Sequence, residues 1–123
     1  MKTDTARVVH TPLRTTPDVV RYLNRNLGTT LVAYMADVRS RQMPKKWEVG
    51  ECVPRDVALR RLLLAYEVLK FLVDNEDKCV ARNWMIGANP GLDDQAPATF
   101  IRMFLPKAVL GAARAFVEDV GGA

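Results

Sequence analysis

Apolar residues recur along most of this chain at intervals of three and four, the spacing that lines one face of a helix. No stretch alternates apolar with polar long enough to make a strand. Thr16-Pro17-Asp18 predicts a helix start, with a hydroxyl cap, a proline at the first helical position and a carboxylate facing the dipole. Val19, Val20, Tyr22, Leu23 and Leu27 follow, and Gly28 ends that element. A second helix is expected over 31–38, capped by Thr29-Thr30, with Leu31, Val32, Met35 and Val38 on one face. The polar stretch 39–51 holds a short helical piece around Trp47, closed by Gly50. Pro54 opens the strongest pattern, in which Leu59, Leu62, Leu63, Tyr66, Leu69 and Val73 mark the core face of a central helix.

Asp74-Asn75-Glu76 breaks that pattern, and the next helix carries Cys79, Val80, Trp84 and Met85 before stopping at Gly87. Asn89-Pro90-Gly91-Leu92-Asp93-Asp94 is a loop by its turn chemistry. A short helix over 97–104 and a longer one over 106–120 complete the chain. The expectation is an all-α fold divided into a flexible arm (1–15), a helix-turn-helix domain (16–74) and a small C-terminal helical domain (75–123).

Composition narrows the class. With 123 residues and 13.8 kDa the chain is too short for a catalytic barrel or a full dinucleotide-binding fold. Its 49% hydrophobic and 26% charged residues are those of a globular protein. The net charge of +4 is unevenly spread: 12 Lys/Arg and 6 Asp/Glu up to Leu62, against 6 and 8 after it. A front half of +6 meeting something anionic explains the split, and a solvated basic face explains it equally well. Cys52 and Cys79 form no CxxC pair and lie far in sequence from the only histidine, His10, so neither a metal site nor a disulfide framework is expected. No apolar run suits a signal peptide or approaches the roughly 18 residues of a membrane span, which leaves a cytoplasmic protein without membrane contact as the expectation.

Catalytic chemistry is hard to assemble from these residues. The glycines form no phosphate-cradling pattern, and a lone histidine leaves serine or cysteine nucleophiles without their usual base. The carboxylate clusters Asp74/Glu76/Asp77 and Asp93/Asp94 fall at helix junctions, where capping accounts for them. The chain is therefore expected to be no enzyme and to need no cofactor and no metal. The segment 28–54 is of another kind: a short apolar helix, a polar link and a second short helix ending in Trp and Gly form the pattern of a helix-turn-helix. Ala33 lets the two helices approach, Val38, Met43 and Trp47 seat the second one, and Ser40 caps it. Arg39, Ser40, Arg41, Gln42, Lys45 and Lys46 then form the candidate DNA-binding set, being residues of the types that reach phosphates and base edges. Ordinary solvent-facing charges on a helical connector remain the alternative.

Two groups of residues resemble a known family. In front stand Leu31-Val32-Ala33, Ser40-Arg41, Trp47, Gly50, Pro54 and Arg60-Arg61-Leu62; behind stand Ala81-Arg82-Asn83-Trp84, Asn89-Pro90-Gly91-Leu92, Pro97, Ile101, and Val109 through Ala112-Ala113 to Phe116. Together they resemble the Xre/MbcA/ParS-type antitoxins, which join a Cro-repressor-like helix-turn-helix to a toxin-binding domain, over roughly 27–122. The resemblance implies a cytoplasmic antitoxin of a type II toxin-antitoxin system. It would neutralise a RES-domain toxin that consumes NAD, act as a homodimer and repress its own operon by binding operator DNA. The candidate toxin-binding residues are Phe100, Arg102, Phe104, Phe116, Glu118, Asp119, Val120, Gly121 and Gly122. Two positions depart from the family pattern: Asp37 stands where a turn glycine is usual, and Pro44 lies inside the reading helix. A stand-alone helix-turn-helix repressor and a protein-only helical adaptor are the alternatives.

Overall fold

The computed structural model describes residues 15–122, with the side chains beyond Asp119 left out; most of the arm expected over 1–15, and Ala123, lie outside the described residues. Among the described residues seven α-helices follow one another: α1 (Thr16–Leu27), α2 (Thr29–Ala36), α3 (Met43–Glu48), α4 (Asp56–Asn75), α5 (Lys78–Ile86), α6 (Pro97–Arg102) and α7 (Pro106–Gly122). A 3-10 turn, Pro90–Leu92, separates α5 from α6. No strand occurs among the described residues, and the fold is all-α. None of these helices is long and apolar enough to cross a membrane.

Local chemistry explains most boundaries. The cap of α1 is Thr15 rather than Thr16, because a reciprocal capping box closes there: the Thr15 hydroxyl accepts from the Asp18 amide, and the Asp18 carboxylate accepts from the Thr15 amide. The first turn of α2 contains Thr29 and Thr30 instead of being capped by them; Gly28, at a φ of 88°, holds the cap position. Helix α2 also stops two residues earlier than the pattern predicts. Asp37 takes the left-handed conformation (φ 62°, ψ 46°), and the Val38 and Asp37 amides donate back to the carbonyls of Ala33 and Tyr34. The same closure ends α3 with Gly50 in the left-handed position, and ends α6 with Phe104 there at a φ of 54°. Glycine suits that conformation; Asp37 and Phe104 adopt it at a steric cost that surrounding contacts must offset.

Helix α3 begins at Met43, later than a Ser40 cap implies. Gln42 is its N-cap residue and the Ser40 hydroxyl accepts from the Gln42 amide across a tight turn. Pro44 therefore falls in the first helical turn, where its missing N–H breaks no helical bond, and its ring is buried.

The long helix α4 is central, touched by α1, α2, α5, α6 and α7. Its buried face is Ala58, Leu62, Leu64, Ala65, Val68, Leu69 and Leu72. That corrects the expected face, since Leu63 is 46% exposed and Leu59 and Val73 only half-buried. A helix packed on several sides buries a broad stripe, and the run Leu62-Leu63-Leu64 leaves the phase of that stripe open in sequence. The buried residues form one cluster from Val19 to Ala113 that crosses the boundary expected between 74 and 75. Helix α2 rests on α6 as well as on α4, so the front and rear parts share a single interior.

Candidate functional site

The front surface is built by α2, the turn after it and α3. Trp47 is buried beneath α3, and Val38 and Met43 pack half-buried beside it. Arg39, Ser40, Arg41, Gln42 and Lys45 are exposed, whereas Lys46 is half-buried. Ser40, Arg41 and Gln42 join Thr29 and Thr30 around a polar depression of about 440 Å³. The first-turn amides of α2 have no side-chain cap, so this depression combines a helix N-terminus with a guanidinium. Arg39 and Arg41 make no ion pair with another described residue, while the Lys45 ammonium lies 3.5 Å from Glu48. Thr29 and Thr30 were not among the residues expected to share this surface; they mattered in sequence only as a cap.

Glu48 fixes the angle of α3. Its Oε1 accepts from Asn24 Nδ2 at 2.9 Å, the same nitrogen donates to the Pro44 carbonyl at 3.2 Å, and Arg21 stands 3.9 Å from Oε2. The Asn24 hydrogen bond first, then the Lys45 and Arg21 charges, hold the Glu48 carboxyl below its ordinary value of 4.5. A depressed folded-state value means that this stabilisation is complete above the ordinary value and is lost as the pH falls through the folded one. Glu48→Gln is therefore expected to melt lower than the parent at neutral pH, with the gap closing as the pH falls below the ordinary glutamate value of 4.5 and through the lowered folded-state one. A gap independent of pH in thermal melts would contradict this account.

Arg102 does not project freely from α6. Its Nη2 pairs with Asp37 at 2.6 Å, its Nη1 donates to the Tyr34 carbonyl at 2.8 Å, and its guanidinium lies 4.6 Å from the Tyr34 ring centroid. The Tyr34 hydroxyl meets Thr99 Oγ1 at 2.9 Å, and Arg61 Nε donates to the Arg102 carbonyl at 2.5 Å. These contacts pin the left-handed turn at Asp37, and they explain how aspartate occupies a place that favours glycine.

The rear surface is a cleft of about 800 Å³ between the 89–91 turn and α7. Small residues on α7 (Ala108, Gly111, Ala112 and Ala115) form its floor, Trp84 and Phe116 stand at one side with ring centroids 6.1 Å apart, and Asp119 completes the lining. The turn is held rigid by Asn89, whose side chain accepts from the Gly91 amide and whose carbonyl accepts from Leu92 and Asp94. No family model, no curated protein and no solved structure matches this chain.

The candidate toxin-binding residues are thus scattered. Phe116 and Asp119 belong to the cleft, and Glu118 is exposed on the same helix. Phe100 is a core residue, 9% exposed. Phe104 lines a separate depression beside α4. Val120, Gly121 and Gly122 form the end of α7, and their side chains lie outside the described residues. The small-residue floor was legible as Ala108, Gly111/Ala112 and Ala115 at helical spacing, although only part of it carried the resemblance.

The junction carboxylates have structural partners: Asp77 caps α5 through the Val80 amide, and Asp74 pairs with Lys70 at 2.7 Å. Asp93 and Asp94 are exposed in the left-handed turn before α6. No group of three His, Cys, Asp or Glu residues able to hold a metal occurs among the described residues.

Proposed function

We propose that this chain is the antitoxin of a type II toxin-antitoxin pair. It binds and neutralises a RES-type, NAD-degrading toxin through the α5–α7 cleft, and it represses its operon by placing the α2–α3 surface on operator DNA. The observation that carries this reading is the overlap between the cleft and the family resemblance: Trp84, Asn89-Pro90-Gly91, Ala112 and Phe116 belong to both. A cleft floored by small side chains and walled by two aromatics suits an inserted apolar segment or helix from a protein partner. In front, exposed Arg41 beside a helix N-terminus without a side-chain cap, together with exposed Arg39, suits phosphate contacts. The buried Pro44 and the six residues of α3 leave little helix to enter a major groove, so backbone contacts outweigh base readout in this proposal.

The test is co-expression with the neighbouring open reading frame. Toxicity of the neighbour alone, rescue by this chain and co-purification of the two are the expected results; a harmless neighbour or failure to co-purify sinks the toxin half. For the operator half, Arg39→Ala/Arg41→Ala is expected to weaken binding to the upstream DNA about tenfold and to flatten its salt dependence by about two phosphate contacts. Unchanged binding would remove that surface from consideration.

A further inference from the structure

Arg82 belongs to the Ala81-Arg82-Asn83-Trp84 motif, yet neither surface described above uses it. Trp84 lines the rear cleft, whereas Arg82 lines a separate pocket of about 500 Å³ where α2, α5 and the entry to α6 converge. Arg82 and Ile86 stand four residues apart on α5 and so share one face of it. Leu27, Leu31 and Tyr34 line the pocket from the front helices. Ala96 and Ala98 line it from the entry to α6, where their short side chains leave room for a ligand.

The chemistry of this lining selects its ligand. Apart from one cation and the hydroxyls of Thr30, Tyr34 and Thr99, it is apolar. The Tyr34 hydroxyl is fixed on Thr99 Oγ1 at 2.9 Å and its ring lies under the Arg102 guanidinium, so this part of the lining is set before a ligand arrives. Arg82 is exposed and makes no ion pair or hydrogen bond with another described residue, and no Asp or Glu lines the pocket. The volume falls within the roughly 300–1,000 Å³ of small-molecule sites. A protein partner fits less well: of the nine large apolar side chains exposed among the described residues, only Tyr34 and Ile86 border the pocket, too few for the apolar centre of a standard interface. An apolar hollow with a single unneutralised guanidinium is complementary to an apolar body that ends in one carboxylate. A phosphate dianion would call for a second cation, which the lining lacks.

We propose that this pocket is a binding site for a small monocarboxylate with an aryl or alkyl body. The carboxylate accepts hydrogen bonds from the Arg82 guanidinium, and the body covers Leu27, Leu31, Ile86 and Ala98. The inference rests on this pocket alone and not on the toxin or operator reading.

The experiment titrates the full chain with phenylbutyrate, and with phenylbutanol and phenylbutylamine as its neutral and cationic counterparts, following backbone amide resonances. The acid is expected to bind about tenfold tighter than the alcohol, with the amine weakest, and to shift the amides of Thr30, Tyr34, Arg82 and Thr99 most. Arg82→Gln is expected to weaken the acid by about tenfold and leave the alcohol unchanged, while Arg82→Lys keeps most of the preference for the acid. Ile86→Ala is expected to weaken acid and alcohol alike by several-fold, through lost apolar contact. Arg82 and Ile86 are both exposed, and circular dichroism verifies that each variant stays folded. No binding of the acid at millimolar concentration, an alcohol that binds as tightly as the acid, shifts centred on the rear cleft, or an Arg82→Gln variant with parental affinity for the acid would each overturn the proposal.

Discussion

Trp47→Ala is expected to lower unfolding free energy by about 3–5 kcal/mol, the cost of emptying a buried indole site. The magnitude follows from how α3 is held. Six residues are too few for a helix to persist on its own propensity, and only Pro44 and Trp47 of α3 are buried. Removing the indole leaves the Asn24 hydrogen bonds to Glu48 and to the Pro44 carbonyl, the Pro44 ring and half-buried Met43 to hold α3 in place. The loss should appear as a lower denaturant midpoint. Amide exchange should show α3 opening before α4, and the proposed operator binding should fall with it because Arg41 and Lys45 lose their fixed spacing. A destabilisation under about 1 kcal/mol would mean that the indole is not the anchor of this helix.

Filling the rear cleft should have the opposite profile, a large effect on binding and a small one on stability. A Cβ built on Gly111 meets nothing within 4 Å, and the residue lies within α7. Gly111→Ala is accordingly expected to stabilise the protein by about 0.5–1 kcal/mol through helix propensity. Gly111→Phe places a ring over the floor between Ala108 and Ala115 and is expected to weaken binding of the proposed toxin partner by about a hundredfold, the scale of a central interface anchor. Titration calorimetry against the purified partner together with thermal melts separates the two effects. Binding at parental affinity by a well-folded Gly111→Phe variant would show that the cleft is not where the partner docks.

How much of this could be read from the chain depended on the distance over which each signal acts. Short-range signals were legible: glycines at 28, 50 and 87, prolines at 97 and 106 and the Asn89 turn mark element ends within a residue or two. Errors of one residue arose where two hydroxyls compete, as at Thr15 and Thr16, and the Asp18 carboxylate decided between them. The face of α4 was misjudged at Leu63 because three consecutive leucines fit more than one helical phase, and only the packing of five neighbouring helices selects Leu62 and Leu64. Long-range signals were not legible. The left-handed Asp37 looks like a defect in its local sequence, and the residue that supports it, Arg102, arrives from a different helix late in the chain. Phe104 read as a partner anchor, yet its left-handed backbone and its place beside Leu63 follow from how α6 closes. The candidate DNA-binding set is largely contiguous in sequence, and Ser40, Arg41 and Gln42 of it share one depression, whereas the candidate toxin-binding set, drawn from two helices, separates onto different faces.

The single interior carries a consequence for how the protein is dismantled. Val32 and Met35 of α2 belong to the same buried cluster as Ile101 of α6 and Val109 of α7. Cutting the chain between 74 and 75 would strip the front helices of their covering, so neither half is a viable fragment. Unfolding should then proceed as one cooperative event. Any protease or unfoldase that opens the core abolishes the basic face and the aromatic cleft in the same stroke, and the lifetime of one is the lifetime of the other.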